Sequence, residues 1–243
     1  PIDENITVGR LGNGITYYVR ENKYPDNRAV LRLAVNAGSI LEKEEQRGIA
    51  HFVEHMAFNG TESFGKDELV DYFELIGMRY GPEVNAHTSF DETVYKLSIP
   101  TDDSAIIDKS FRVLKEWADS ISFDPAEIDR ERGVIIEEWR LGRGAEARMQ
   151  EQYFPILFEG SRYAQRLPIG EKTVIETCGR AELTEFYRDW YRPDLMSVVA
   201  VGDFDKEKIE QTIKDHFTSI ERREEPPKRI EYEVPGHKET LYA

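Results

Sequence analysis

Residues 50–60 read AHFVEHMAFNG and place His51, Glu54 and His55 within five positions of one another. The whole chain of 243 residues contains only five histidines. Apolar residues in this stretch recur at helical spacing, and the Asn-Gly pair at its end is a typical helix stop. The stretch therefore predicts a helix over about 45–58 that carries two imidazoles and a carboxylate.

The spacing of the two histidines suits a metal site on a helix. Residues four apart lie on the same helical face, about one turn from each other. His51 and His55 are therefore expected to reach one ion together, and imidazole is a good neutral ligand for zinc. Glu54 points to the neighbouring edge of that face, beside any water near the metal. The pattern H-x-x-E-H is the inverse of the H-E-x-x-H zinc motif. The alternative to a zinc site is a pair of solvated histidines on the surface of the helix.

A carboxylate from a second helix is the expected third ligand. The stretch SFDPAEIDRERGVIIEEWR begins with Asp124 as a helix cap followed by proline, and predicts a helix to about residue 150. Glu131 and Glu138 are seven residues apart, nearly two turns, so they share a face. The residues alone leave open which of the two is the ligand and which lies behind it.

The remaining elements favour an α+β fold with helices covering one face of a sheet, because strands and helices are interspersed without regular alternation. Residues 1–222 are predicted to form one domain, and 223–243 a polar linker with the start of a following segment. The pattern predicts strands over 15–21, 28–37, 84–99 (one or two) and 196–203, and helices over 66–76, 103–120, 181–190 and 206–217.

Bulk composition excludes several function classes. The net charge of −15 and pI of about 4.9 argue against nucleic acid and anionic membrane surfaces as partners. No apolar run approaches the roughly 18 residues needed to span a bilayer. The single cysteine, Cys178, permits no intrachain disulfide. We expect both ends of the chain to be cut from a longer polypeptide.

Three stretches in this order, HFVEHMAFNG, NAHTSFDETVY and ERGVIIEEWR, resemble the pitrilysin/insulinase family of zinc metallopeptidases, the inverzincins. The similarity extends to FYRDWYRPDLMSVVAVGDF and is strongest to the N-terminal part of large bacterial envelope members. It implies the fold of mitochondrial-processing-peptidase-like metallohydrolases, a mostly antiparallel six-stranded sheet with helices packed on it. It also implies a periplasmic or cell-envelope location, with the cytoplasm as the alternative.

The resemblance also implies a ligand set. By position, His51 and His55 are zinc ligands and Glu54 is the general base. The third ligand falls on Glu138, and Glu131 becomes a further carboxylate of the catalytic site. The family's commonest spacing between the second histidine and the third ligand, taken alone, would instead favour Glu131. One Zn²⁺ per domain follows.

For substrate binding, the resemblance implies that an exposed strand pairs with the peptide backbone, with Asn85 and Ala86 as contact positions. A plain edge strand is the alternative. The implied activity is that of a zinc-dependent endopeptidase acting on peptides or small proteins. Such an enzyme encloses its substrate with a C-terminal half, so the 243 residues alone are expected to bind zinc with little turnover.

Three other functions remain open. The first is a zinc-binding half with no turnover of its own. The second is S-ribosylhomocysteine lyase, which shares the H-x-x-E-H pair but needs a catalytic cysteine, whereas Cys178 has no partner in view. The third is a purely structural subunit, although such subunits lose the metal motif that this chain keeps.

Overall fold

The computed structural model describes residues 3–142, 144–222 and 225–237. The strands are β1 Thr7–Arg10, β2 Thr16–Glu21, β3 Arg28–Val35, β4 Val84–Thr88, β5 Thr93–Pro100 and β6 Met196–Gly202. The α-helices are α1 Ile49–Ala57, α2 Lys66–Leu75, α3 Ser104–Asp119, α4 Pro125–Leu141, α5 Ala145–Leu157, α6 Lys172–Thr177, α7 Arg180–Trp190 and α8 Lys206–Phe217.

The strands form one six-stranded sheet in the order β1-β2-β6-β3-β5-β4. Among the described residues, four of the five strand pairings are antiparallel, and β2 pairs with β6 in parallel. The six strands and covering helices agree with what the family resemblance implies, but the sheet is mixed. Strand β6, the last of these six in chain order, lies between β2 and β3 at the centre of the sheet.

One face of the sheet is buried because the strands alternate apolar and polar residues. In β3, Ala29, Leu31, Leu33 and Val35 are buried, whereas the residues between them are partly or fully exposed. Helices cover the buried face and contribute several of the largest fully buried side chains, among them Trp117, Phe52, Phe111 and Phe186. The core therefore lies between the sheet and the helices.

Two predicted helix boundaries were wrong. The helix predicted to reach residue 150 ends at Leu141, since Gly142 and Gly144 interrupt it and a separate helix, α5, follows. The helix predicted over 45–58 begins at Ile49, after a short 3₁₀ turn. The segment over 84–99 is two strands, β4 and β5, and the sequence pattern missed β1 and α6.

The C-terminal linker region is only partly described. Arg229 donates to the Asn36 carbonyl at 2.9 Å, so part of the linker lies against the domain. The predicted domain ends at residue 222, and the next two residues, 223–224, lie outside the described residues, as does most of the predicted start of a following segment, at 238–243. Across the described ranges, no helix has the length and apolarity needed to span a bilayer.

Candidate metal centre

Hydrogen bonds fix both ends of helix α1, which carries two histidines and a glutamate of the site. Gly48 precedes it with φ of 106°, and the Glu42 carboxylate accepts hydrogen bonds from the Gly48 and Ala50 N–H groups at 3.1 and 2.8 Å. At the other end, the Asn59 amide donates to the His55 carbonyl at 3.0 Å. These contacts hold the helix in one position.

Three side chains converge at the open side of α1. The Nε2 atoms of His51 and His55 lie 3.1 Å apart, as expected for imidazoles one turn apart on one face. Helix α4 brings the Glu138 Oε2 to 3.7 Å from His51 Nε2 and 3.5 Å from His55 Nε2. Two nitrogens and one carboxylate oxygen, from residues distant in sequence, thus form a compact triangle.

The triangle fits zinc in donor type and in size. Tetrahedral ligands about 2.0–2.1 Å from zinc lie about 3.3–3.4 Å from one another. The three observed separations of 3.1, 3.5 and 3.7 Å bracket that value. Two imidazoles and a carboxylate are also a known catalytic zinc set, with a fourth position left for water or substrate.

The charges around the imidazoles show that this site favours a cation. Although burial lowers it, the carboxylates of Glu131 and Glu138 raise the pKa of His55 to about 9. Burial and the neighbouring His55 lower the pKa of His51 to about 4. Two carboxylates therefore lie within 4 Å of the His55 ring, and this negative charge favours a bound cation.

Glu131 and Glu138 occupy different positions although they share a face of α4. The Glu131 Oε1 lies 2.7 Å from His55 Nδ1, on the side of the ring opposite the triangle. Its side chain is 12% exposed, whereas that of Glu138 is 45% exposed at the mouth of the site. A carboxylate behind a ligand histidine fixes the orientation of the ring. Glu137 points away and bonds to Arg140.

Glu54 lies next to the triangle in the same cleft. It is 7% exposed, and its Oε2 accepts a hydrogen bond of 2.6 Å from the Thr88 hydroxyl on β4. Burial raises the pKa of Glu54, while the Thr88 hydroxyl and the positive charge on His55 offset part of this effect. The carboxylate is thus fixed in place and is more basic than an exposed glutamate.

A cleft of about 530 Å³ joins these groups to the sheet edge. Its walls are the β4 side, with Asn85 and Ala86, and the opposite loop, with Pro168 and Ile169. That loop is anchored by the buried Arg166, which donates to the Glu42 carbonyl at 3.2 Å. An extended peptide placed in the cleft would lie beside both the triangle and Glu54.

Strand β4 is the last strand at its edge of the sheet, so among the described strands none pairs with its outer side. Ser98 N–H bonds to Glu83 O at 2.8 Å, and Ser89 N–H bonds to Glu92 O at 2.7 Å. Antiparallel pairs alternate, so the backbone of Ala86 points away from β5. The Ala86 N–H is occupied by the Asn85 Oδ1 at 2.8 Å.

The structure therefore brings six of the seven residues singled out in the sequence to one cleft, and the seventh, Glu131, lies behind His55. It adds others that the sequence did not mark. Thr88 had a signal, since it lies two residues beyond Ala86 and must face the same way. No sequence signal marked Pro168 and Ile169, because these cleft residues lie more than a hundred residues beyond α1 in the chain.

Comparison with known proteins assigns the family. The family model described as Insulinase (Peptidase family M16) matches residues 17–154, more than half of the chain. The chain belongs to the insulinase family of peptidases. A second family model, described as Peptidase M16 inactive domain, matches residues 177–242.

Relatives within the insulinase family are much longer than this chain. It is 43% identical over 236 residues to a zinc protease PQQL-like protein of Arabidopsis thaliana, covering 97% of the chain and 25% of the relative. It is 40% identical over 218 residues to the probable zinc protease PqqL of Haemophilus influenzae, covering 90% of the chain and 24% of the relative. The chain thus spans about a quarter of the length of these relatives.

A solved structure supports the same assignment. The first half of the periplasmic protease PqqL from Escherichia coli superposes with a TM-score of 0.93 at 35% identity, covering 98% of this chain and 50% of that one. Membership of the insulinase family argues against the lyase alternative. The buried Cys178 is also absent from the residues that line the cleft.

Proposed function

We propose that this chain is the N-terminal, metal-carrying part of a zinc-dependent endopeptidase. In this proposal His51, His55 and Glu138 hold one Zn²⁺, and Glu54 is the general base. The observation that carries it is the compact triangle of two Nε2 atoms and one Oε2, with separations of 3.1, 3.5 and 3.7 Å. Zinc, when bound, supplies Lewis acidity that activates water and polarises a carbonyl at neutral pH.

Glu54 has the position and basicity that a general base needs. Thr88 holds its Oε2, so Oε1 is proposed to take a proton from the attacking water and pass it to the leaving amine nitrogen. Because burial raises its pKa, the carboxylate accepts a proton more readily than an exposed glutamate does. The same proton is then available when the peptide bond breaks.

We propose that the peptide substrate adds a strand to the outer side of β4. The Ala86 backbone points away from β5, and main-chain pairing at an exposed edge is a recurring way to bind peptides. The Asn85 side chain, which holds the Ala86 N–H at 2.8 Å, must leave when a substrate carbonyl takes that donor. Asn85 and Ala86 are therefore the proposed contact positions.

The proposed partners are a peptide or small-protein substrate and a C-terminal half of the same enzyme. The chain covers about a quarter of its relatives, and a cleft open on one side needs a second wall to exclude water. We therefore expect zinc binding with little turnover from these 243 residues alone. A periplasmic or cell-envelope location is proposed because the E. coli relative is described as a periplasmic protease.

Metal binding by single-residue variants tests the ligand set. Zinc affinity is measured by competition with a chromogenic chelator at pH 7. Glu138→Gln removes one of the three ligands and is expected to lower zinc affinity at least about a hundredfold. The binding free energy of a structural zinc site is roughly 10–16 kcal/mol, and a third of it is about 3–5 kcal/mol. Glu131→Gln is expected to weaken binding only about 10-fold to 100-fold.

Glu137→Gln is the matched control, because this exposed neighbour on α4 pairs with Arg140 and should leave zinc affinity unchanged. A larger loss for Glu131→Gln than for Glu138→Gln would reassign the third ligand. Failure of the wild-type chain to bind zinc at neutral pH would refute the proposed function.

Peptide turnover separates an enzyme from a zinc-binding half without turnover. A peptide library is assayed with the 243 residues and with a polypeptide as long as the relatives, each as wild type and Glu54→Gln. We expect chelator-sensitive cleavage by the longer wild-type protein, lost in Glu54→Gln while zinc remains bound. Zinc binding without cleavage by the longer protein would favour the inactive alternative.

A further inference from the structure

A line of polar side chains runs from the back of His55 to the start of α2. The Glu131 Oε1 meets His55 Nδ1 at 2.7 Å, and its Oε2 accepts from the Asn59 amide at 2.8 Å. The Asn59 Oδ1 in turn accepts from the Lys66 ammonium at 2.6 Å. Glu127 ends the line, 3.2 Å from the same ammonium.

Each member of this line determines the orientation of the next. A lysine ammonium can only donate hydrogen bonds, so the Asn59 oxygen must face Lys66. The Asn59 NH₂ group then faces Glu131, and it also donates to the His55 carbonyl at 3.0 Å. Asn59 is 5% exposed, and both its oxygen and its nitrogen are used.

The orientation of Asn59 reaches His55 through Glu131. With one carboxylate oxygen held by the Asn59 NH₂ group, the other is directed at His55 Nδ1 as an acceptor. An Nδ1–H that donates to a carboxylate leaves Nε2 as the ring nitrogen with a free lone pair. That Nε2 atom is the one that joins the triangle with His51 and Glu138.

The position of Lys66 needs an explanation of its own. It is the first residue of α2, where the helix dipole disfavours a cation. Its side chain is 39% exposed and nevertheless makes two contacts directed inwards, to Asn59 and Glu127. A lysine that served only solubility would extend into solvent.

We propose that Asn59 and Lys66 are positioning residues that fix the Glu131 carboxylate and, through it, the tautomer and orientation of His55. This inference rests on the proposed zinc site. If Asn59 had a purely structural role, it would only cap the end of α1 through the His55 carbonyl.

Lys66→Met and Asn59→Leu test the proposal. Lys66→Met keeps the length of a half-exposed side chain and removes only the donor, so it is expected to fold even if Asn59→Leu does not. Both variants are expected to weaken zinc binding about 10-fold, the lower end of what removal of outer partners usually costs. The control is Lys109→Met, another half-buried lysine, which lies over the Tyr72 ring at 4.0 Å and away from the line.

A second readout does not depend on zinc. In the proton NMR spectrum of the metal-free wild type, the His55 Nδ1–H held by Glu131 is expected as a strongly downfield, slowly exchanging signal. Lys66→Met should shift or broaden it, whereas Lys109→Met should leave it in place. An unchanged signal in Lys66→Met, or a zinc affinity equal to that of the Lys109→Met control, would overturn the proposal. Absence of zinc binding by the wild type would refute the proposed function and leave the NMR comparison decisive for this inference.

Discussion

Replacing Glu42 by glutamine is expected to make the unfolding free energy of the metal-free protein less dependent on pH, because the substitution removes a buried titrating group. Glu42 is fully buried at the start of α1, and among the described residues its Oε2 has no hydrogen-bond partner. Burial raises the pKa of Glu42 from 4.5 to about 8, although the Ala50 and Gly48 N–H groups and the charge of Arg166 oppose the shift.

The sign follows from comparing the folded and unfolded states. The unfolded chain releases this proton at about pH 4.5, and the folded protein holds it until about pH 8. Proton binding to Glu42 therefore stabilises the fold fully below pH 4.5, and this contribution is lost as the pH rises through 8. The separation of the two pKa values corresponds to about 5 kcal/mol in total, of which about 3 kcal/mol is lost between pH 5 and pH 7.5.

The assay is urea unfolding at several pH values between 5 and 7.5, with EDTA present, for the wild type and Glu42→Gln. Other titrating groups occur in both proteins, so their contributions cancel in the difference. The difference in unfolding free energy is expected to change by about 3 kcal/mol over this range. Glu45→Gln, an exposed neighbour, should show no such change. A constant difference between wild type and Glu42→Gln at every pH would refute the reasoning.

Three further substitutions test the fold and the substrate edge. Gly170→Ala should lower the unfolding free energy, measured by urea unfolding, by at least about 2 kcal/mol. The reason is that φ of Gly170 is +74° and an added Cβ would lie 2.2 Å from the Gly48 Cα. A variant as stable as the wild type would contradict this. Asp124→Ala should cost about 1 kcal/mol by the same assay, since its carboxylate caps α4, and a neutral result would show that the cap is dispensable. Ala86→Pro removes the outward N–H from β4, so peptide cleavage by the longer polypeptide should fall at least tenfold with zinc affinity unchanged; unimpaired cleavage would exclude strand pairing at Ala86.

The parts of the site that obey helical periodicity could be predicted from the sequence. The four-residue spacing of His51 and His55 and the seven-residue spacing of Glu131 and Glu138 each fix a shared face. The sequence alone did not distinguish the two glutamates. The structure places Glu138 in the triangle and Glu131 behind His55, and this depends on how α4 packs against α1, which no local pattern encodes.

Other features depend on contacts between segments that are distant in sequence. The parallel pairing of β2 with β6 joins Thr16 to Ser197, and no local signal specifies it. Strand β1 was missed because it has only four residues and contains Gly9, over which the Tyr17 ring lies. The predicted helix to residue 150 was wrong because Gly142 and Gly144, which are poor helix formers, separate α4 from α5.

The central place of β6 has a consequence for how this protein is made. Helix α1 is complete at residue 57, but the sheet beneath it lacks its middle strand until residue 202 has been synthesised. At about 5–20 residues per second, translation of the intervening segment takes roughly 7–30 seconds. During that interval the histidine-bearing segment has no finished sheet to pack on, so a nascent chain stalled before Met196 should fail to protect it from added protease.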